Sequence, residues 1–155
     1  MKTDNNIESI ANLVGEVGKE CLLTRSRRIS RVVTGIYDEA MRPHGIGAPQ
    51  FSLLVMIARL NGASRAEIGR ANFQERSTLT RNLSLLLNEG WIAEVAPKNG
   101  RSRPILITDA GKRLLTSAGS AWRSAQARAK QLLGDEGVAA IIKVADRLPV
   151  DQPGA

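Results

Sequence analysis

Between Ser64 and Ile107 the apolar positions change period, from a helical repeat to strand-like alternation. In SRAEIGRA (64–71), Ile68 and Ala71 share one side of a short predicted helix. Ser64 and Glu67 form a capping-box pair at its start, each able to satisfy an orphan N–H. In ERSTLTRNLSLLLNEG (75–90), Leu79, Leu83, Leu86 and Leu87 make an apolar stripe along a second helix. Gly90, free to take positive φ, should stop it. WIAEVAPKNGRSRPILI (91–107) then reads as two short strands around Asn99-Gly100, a pair suited to a type I′ turn. Pro104 has no N–H to donate, so it should sit at a sheet edge or at the first residue of the returning strand.

The flanks are helical. Leu22, Ser26, Ile29, Val33, Ile36 and Ala40 predict a long helix over about 20–43, ended by Pro43 and Gly45. Its other side carries Arg25, Arg27, Arg28 and Arg31. The next helix, about 49–60, has Pro49 in its first turn and Gly62 past its end. Leu53, Leu54, Val55, Met56 and Ile57 make it apolar nearly all round, which predicts burial. Thr108 can cap a helix carrying Leu115, Ala118, Trp122, Ala125, Ala129 and Leu132. Gly134 should break it, and Asp135 should cap a final helix ending near Leu148-Pro149. Residues 7–17 also have helical spacing, but Gly15 and Gly18 weaken it, so only a short helix is expected there. Helices this long at both ends carry more apolar surface than one small core can cover. A two-fold dimer is the economical solution. The expected class is mainly α with a minor β component.

Two short helices followed by a hairpin form a winged helix-turn-helix pattern, which places one helix in a DNA major groove. The face opposite the leucine stripe holds Ser77, Thr78, Arg81, Asn82 and Ser84. Arginine pairs with guanine, asparagine with adenine, and hydroxyls with many partners. Lys98, Arg101 and Arg103 make the hairpin tip basic. Ser64, Arg65, Arg76 and Thr80 complete the candidate DNA-contacting set. The same face could instead meet an acidic protein surface, as a winged-helix interaction module. Its lack of aromatics disfavours that alternative.

Composition sharpens the choice. A net charge of +7, a pI near 10.3 and an excess of arginine over lysine suit an acidic polymer. At 3% aromatic residues the chain lacks the stacking platforms used on single strands, so duplex DNA is favoured. The 155 residues fit one domain. No stretch is long and apolar enough for a membrane span, and MKTDNNIES lacks a signal-peptide pattern, so a cytoplasmic, membrane-free protein is expected. One cysteine, Cys21, and one histidine, His44, leave no residues for a disulfide framework, a zinc site or a Ser-His-Asp triad. No glycine-rich phosphate loop is present. Neither a cofactor nor an enzymatic activity is expected.

The strings PQFSLL, RSTLTRNLSLL, NEGWI and GRSRPILITDAGKRLL, in this order, resemble the MarR family of winged helix-turn-helix transcriptional regulators, over roughly residues 20–148. The resemblance implies a single domain spanning 1–155, with dimerisation helices at 20–45 and 108–148 around a winged lobe at 48–107. It puts Ser77, Thr78 and Arg81 in the major groove of a pseudo-palindromic operator, Arg76 and Thr80 near the backbone, and Arg101 and Arg103 at the minor groove. Asn99 departs from the family's usual wing aspartate, and Glu75 stands in place of the usual aspartate cap. Family members are typically repressors released by small phenolic or anionic effectors. The implied pocket candidates are Tyr37, Met41, His44, Phe51 and Trp122, with Arg27 or Arg31 facing an anionic group. Phe51 and Trp122 equally suit core or dimer contacts, and His44 a loop. Some members sense peroxide through a thiol, which makes Cys21 an alternative switch. That pattern would put the thiol at Leu23, and Glu20 beside Cys21 should raise a thiol pKa, so a buried or inert thiol is expected.

Overall fold

The computed structural model describes residues 2–72, 74–96 and 103–148. Chain order is α1 (Lys2–Glu20), α2 (Leu22–Met41), a 3₁₀ turn (Arg42–His44), α3 (Ala48–Leu60), α4 (Arg65–Ala71), α5 (Arg76–Asn88), β1 (Ile92–Glu94), β2 (Ile105–Ile107) and α6 (Asp109–Ala145). Contacts divide the chain inside α2 into Met1–Gly35 and Ile36–Ala155. Within residues 9–35 of the first unit none is buried, and the hydrophobic core of the described residues lies in the second.

That core is centred on α3, which packs against α4, α5, α6 and β2. Met41, Leu53, Leu54, Ile57, Ile68, Leu83, Leu86 and Ile105 are its largest fully buried side chains. At roughly 1.5–3 kcal/mol for each such side chain, burial here outweighs any local propensity. Val55 remains exposed, so α3 is not buried all round as its composition suggested. It ends at Leu60 as predicted, and the residue that closes it is Asn61, which takes φ 47° and donates its N–H to the Ile57 carbonyl. Asparagine is among the few non-glycine residues that tolerate this conformation.

The leucine stripe of α5 faces the core as predicted, with Leu79, Leu83 and Leu86 buried. Its exit is a Schellman motif: Trp91 N–H donates to Leu86 O and Gly90 N–H to Leu87 O, both at 3.0 Å, with Gly90 at φ 69°. The hairpin follows, with Ile92 opposite Ile107 and Glu94 opposite Ile105. Pro104 immediately precedes β2, and its carbonyl accepts from Val95 N–H at 2.9 Å. On its other side β2 bonds to Ala63, whose carbonyl accepts from Ile105 N–H at 2.9 Å, so the hairpin is tied to the loop before α4. The Asn99-Gly100 turn lies outside the described residues.

Thr108 caps α6 by accepting from Gly111 N–H at 3.1 Å, and it donates to Gly90 O at 2.7 Å. Gly134 breaks the run at φ 68°, ψ 164°, as the sequence predicted. The N-terminal reading was too short, since α1 spans Lys2–Glu20 rather than 7–17. Gly15 and Gly18 cost roughly 1 kcal/mol each relative to alanine but remove no backbone hydrogen bond, so they weaken the helix without ending it. The long helix expected from residue 20 begins at Leu22, because Cys21 is a non-helical joint, and a 3₁₀ turn replaces its last residues. Among the described residues no helix is long and apolar enough to cross a membrane.

Candidate nucleic-acid interface

The outward face of α5 is basic and hydroxyl-bearing. Arg76, Ser77, Thr80, Arg81 and Ser84 are exposed and Thr78 is half-buried. Thr80 Oγ1 donates to Arg76 O at 2.8 Å and Ser84 Oγ to Thr80 O at 3.0 Å, which directs their hydroxyl protons into the helix and leaves oxygen lone pairs outward. Arg81 makes no ion pair among the described residues. The helix starts at Glu75 without a side-chain cap, as expected for a glutamate at that position.

Asn82 does not belong to this face. It is 4% exposed, its Oδ1 accepts from Gln50 Nε2 at 3.0 Å, and its Nδ2 donates to Gln74 Oε1 at 3.2 Å. The sequence held the signal: Asn82 lies three residues after Leu79 and four before Leu86, inside the leucine stripe.

Two other candidates are engaged within the lobe. Ser64 accepts from Glu67 N–H at 3.2 Å, and both its N–H and its hydroxyl donate to Glu67 Oε2 at 2.7 Å, completing the capping box. Those two donors hold the Glu67 carboxyl below the usual glutamate range. Arg65 reaches Glu94 of β1 with Nε at 2.7 Å and Nη2 at 2.6 Å. This two-pronged pair ties the base of the wing to α4, a role that the residue types alone did not reveal. Arg103 is exposed beside β2, whereas Lys98 and Arg101 lie outside the described residues.

The effector candidates are distributed over both units of the chain. Met41 is fully buried and Phe51 is 7% exposed, both within the core, where apolar packing accounts for them. Tyr37 donates its hydroxyl to Gln126 of α6, and burial pushes its pKa up. His44 is half-buried in the 3₁₀ turn and Trp122 is exposed on α6. Arg27 and Arg31 lie in the first unit, where they line a shallow surface concavity with Ser26 and Ser30.

Cys21 also differs from expectation. It is half-buried at the joint between α1 and α2, and Thr24 Oγ1 donates to its Sγ at 3.4 Å. That hydrogen bond, the N–H groups of Thr24 and Leu23, and the charge of Arg25 together lower the thiol pKa. Three neighbouring residues that favour the thiolate thus replace the upward shift expected from Glu20. Among the described residues no group of three His, Cys, Asp or Glu side chains could hold a metal ion.

Comparison with known proteins places these features in context. Residues 44–102 match the MarR family model. The HTH-type transcriptional repressor Rv2887 of Mycobacterium tuberculosis is 30% identical over 102 residues, covering 65% of this chain and 73% of the relative. The crystal structure of that protein with salicylic acid aligns with a TM-score of 0.62 at 26% identity, covering 81% of this chain and 94% of the other. The M. tuberculosis transcriptional regulator MosR in complex with DNA aligns with a TM-score of 0.68 at 32% identity, over 83% of this chain and 100% of the other. A mutant MarR from E. coli complexed with operator DNA shares the fold, with a TM-score of 0.74 at 18% identity over 85% and 96% of the two chains.

Proposed function

This chain belongs to the MarR family of winged helix-turn-helix transcriptional regulators, which are not enzymes, and on that premise we propose that it is a homodimeric repressor of a pseudo-palindromic operator, released by a small anionic aromatic compound. The observation that carries the DNA reading is the outward face of α5. Ser77, Thr78 and Arg81 stand there opposite the buried leucines, with Arg76 at the helix start. Ser77, Thr78 and Arg81 meet base edges, Arg76 and Thr80 the phosphates, and Lys98, Arg101 and Arg103 the flanking minor groove. A formal charge of +7 supplies the non-specific attraction.

A second copy of the chain is the partner for the exposed apolar side chains. Ile10, Leu13, Val14 and Val17 on α1, and Ile141, Ile142, Val144 and Leu148 at and beyond the end of α6, lie open to solvent. Such a dimer presents two α5 helices about one duplex turn apart. Repression and an effector are supported by the relative named as a repressor and crystallised with salicylic acid. Work on operator DNA puts the protein in the cytoplasm.

Selection from random duplex DNA tests the reading. It should enrich two inverted half-sites with centres roughly 10 base pairs apart, and sedimentation at micromolar concentration should give a dimer. No enriched sequence would remove the operator reading and favour an acidic protein partner. A monomer would remove the paired-site geometry.

A further inference from the structure

Behind the reading face runs a chain of side-chain amides that the DNA-contacting residues do not use. Gln50 on α3 donates Nε2 to Asn82 Oδ1 on α5 at 3.0 Å. Asn82 donates Nδ2 to Gln74 Oε1, in the turn between α4 and α5, at 3.2 Å. Gln74 Oε1 also accepts from Nδ2 of Asn72, the C-cap residue of α4, at 3.0 Å. Gly47, without a Cβ, leaves room for the Gln50 amide oxygen at the start of this chain.

We propose that the amide chain Gln50–Asn82–Gln74–Asn72 sets the position of α5 against α3 and α4, making Asn82 and Gln50 positioning residues for base recognition. The leucine contacts of α5 bury area but are non-directional, so they tolerate small rotations and slides. Amide hydrogen bonds are directional, and here they converge on one oxygen, Gln74 Oε1, which accepts from Asn82 on one side and Asn72 on the other. Asn82 is the buried polar side chain among the described residues, and both of its ends are matched. It directly follows Arg81, so a rotation that broke its bonds would swing Arg81, Thr78 and Ser77 together. A half-satisfied network inside a lobe is worse than none, so the pieces should act as a unit.

The inference rests on the operator reading above, and one experiment separates the two. Binding profiles are measured against every single-base variant of the selected operator, for the parent, Asn82→Ala, Gln50→Ala and the double variant. Asn82→Ala and Gln50→Ala should each weaken operator binding about ten-fold and flatten preference at all half-site positions together, and the double variant should be no worse than either, because the two residues share one network. Gln74→Glu keeps an acceptor for both amides and should retain the parent's pattern of preference, whereas Gln74→Leu should lose it. Circular dichroism identifies any variant that fails to fold, and for Asn82 the Gln50 variant then carries the test. Loss of preference at a single position in Asn82→Ala, with Gln50→Ala unchanged, would make Asn82 a direct base contact and overturn the proposal. Lowered thermal stability with unchanged preference would reduce the network to a structural role and overturn it too. A parent that selects no operator would sink the underlying reading itself.

Discussion

Gly111 and Gly119 both lie on α6, yet the same substitution should move stability in opposite directions. A Cβ at position 111 would overlap the Trp91 carbonyl oxygen, and it would stand 2.8 Å from Ile107 Cγ1 and 3.1 Å from the Trp91 carbonyl carbon. Relieving this requires backbone movement, because the obstacle is a carbonyl that also accepts from Thr108 N–H at 3.0 Å. Overpacking of this kind costs about 1–3 kcal/mol, while alanine returns about 0.5–1 kcal/mol of helix propensity. The net loss of up to about 2.5 kcal/mol should lower the midpoint of thermal unfolding by up to about 10 °C at this size. At Gly119 the nearest neighbour is the flexible end of Arg123, at 3.7 Å, so only the propensity gain remains. Gly119→Ala should therefore raise the midpoint by roughly 1–4 °C. Thermal unfolding followed by circular dichroism at one fixed protein concentration measures both, since an assembling protein's midpoint shifts with concentration. A Gly111→Ala variant as stable as Gly119→Ala would refute the packing argument for the junction of wing and α6.

The capping box gives an acid-side expectation. Because the Glu67 carboxyl is lowered in the folded lobe, its contribution is complete above the ordinary glutamate range and fades as pH falls through the depressed value. Ser64→Ala should cost about 1 kcal/mol at neutral pH and lose part of that difference at the acid end, as read by denaturant titration; an equal cost at every pH would mean that the Ser64 hydroxyl does not bond the Glu67 carboxylate. At the wing, replacing Arg101 and Arg103 with alanine should flatten the slope of log K against log salt by roughly one to two units, and an unchanged slope would remove the wing from the interface. For Cys21, alkylation by iodoacetamide should rise at a pH below that of an ordinary thiol, and Thr24→Val should shift the profile upward, because Thr24 is the largest cause of the lowered pKa. Coincident profiles would contradict that hydrogen bond.

Where one physical signal dominated, the sequence was legible. The leucine stripe of α5, the Ser64–Glu67 box, the Gly90 stop, the Thr108 cap and the Gly134 break are local rules, and each appears in the structure. Side-chain partners from distant segments were not legible. Asn82 carries a polar name in an apolar position, and only its neighbours Gln50 and Gln74 explain why it can be buried. Arg65 looks like a free DNA-facing cation until Glu94 is brought beside it by the hairpin. Met41 and Phe51 offered apolar and aromatic surface suited to a pocket, but the core of a small lobe takes such residues first. Cys21 was judged by Glu20 in sequence, whereas its thiol answers to Thr24, one helical turn ahead.

The central claim is that α5 reads bases through its outward face, and Arg81 is the residue that tests it most directly. Binding of Arg81→Ala should be measured against operators altered one base pair at a time, at constant salt. The account predicts a loss of about 1–3 kcal/mol on the parent operator, with preference relaxed at one position in each half-site and retained elsewhere. A uniform loss across all sequences, with every preference intact, would place Arg81 on phosphate and contradict the account.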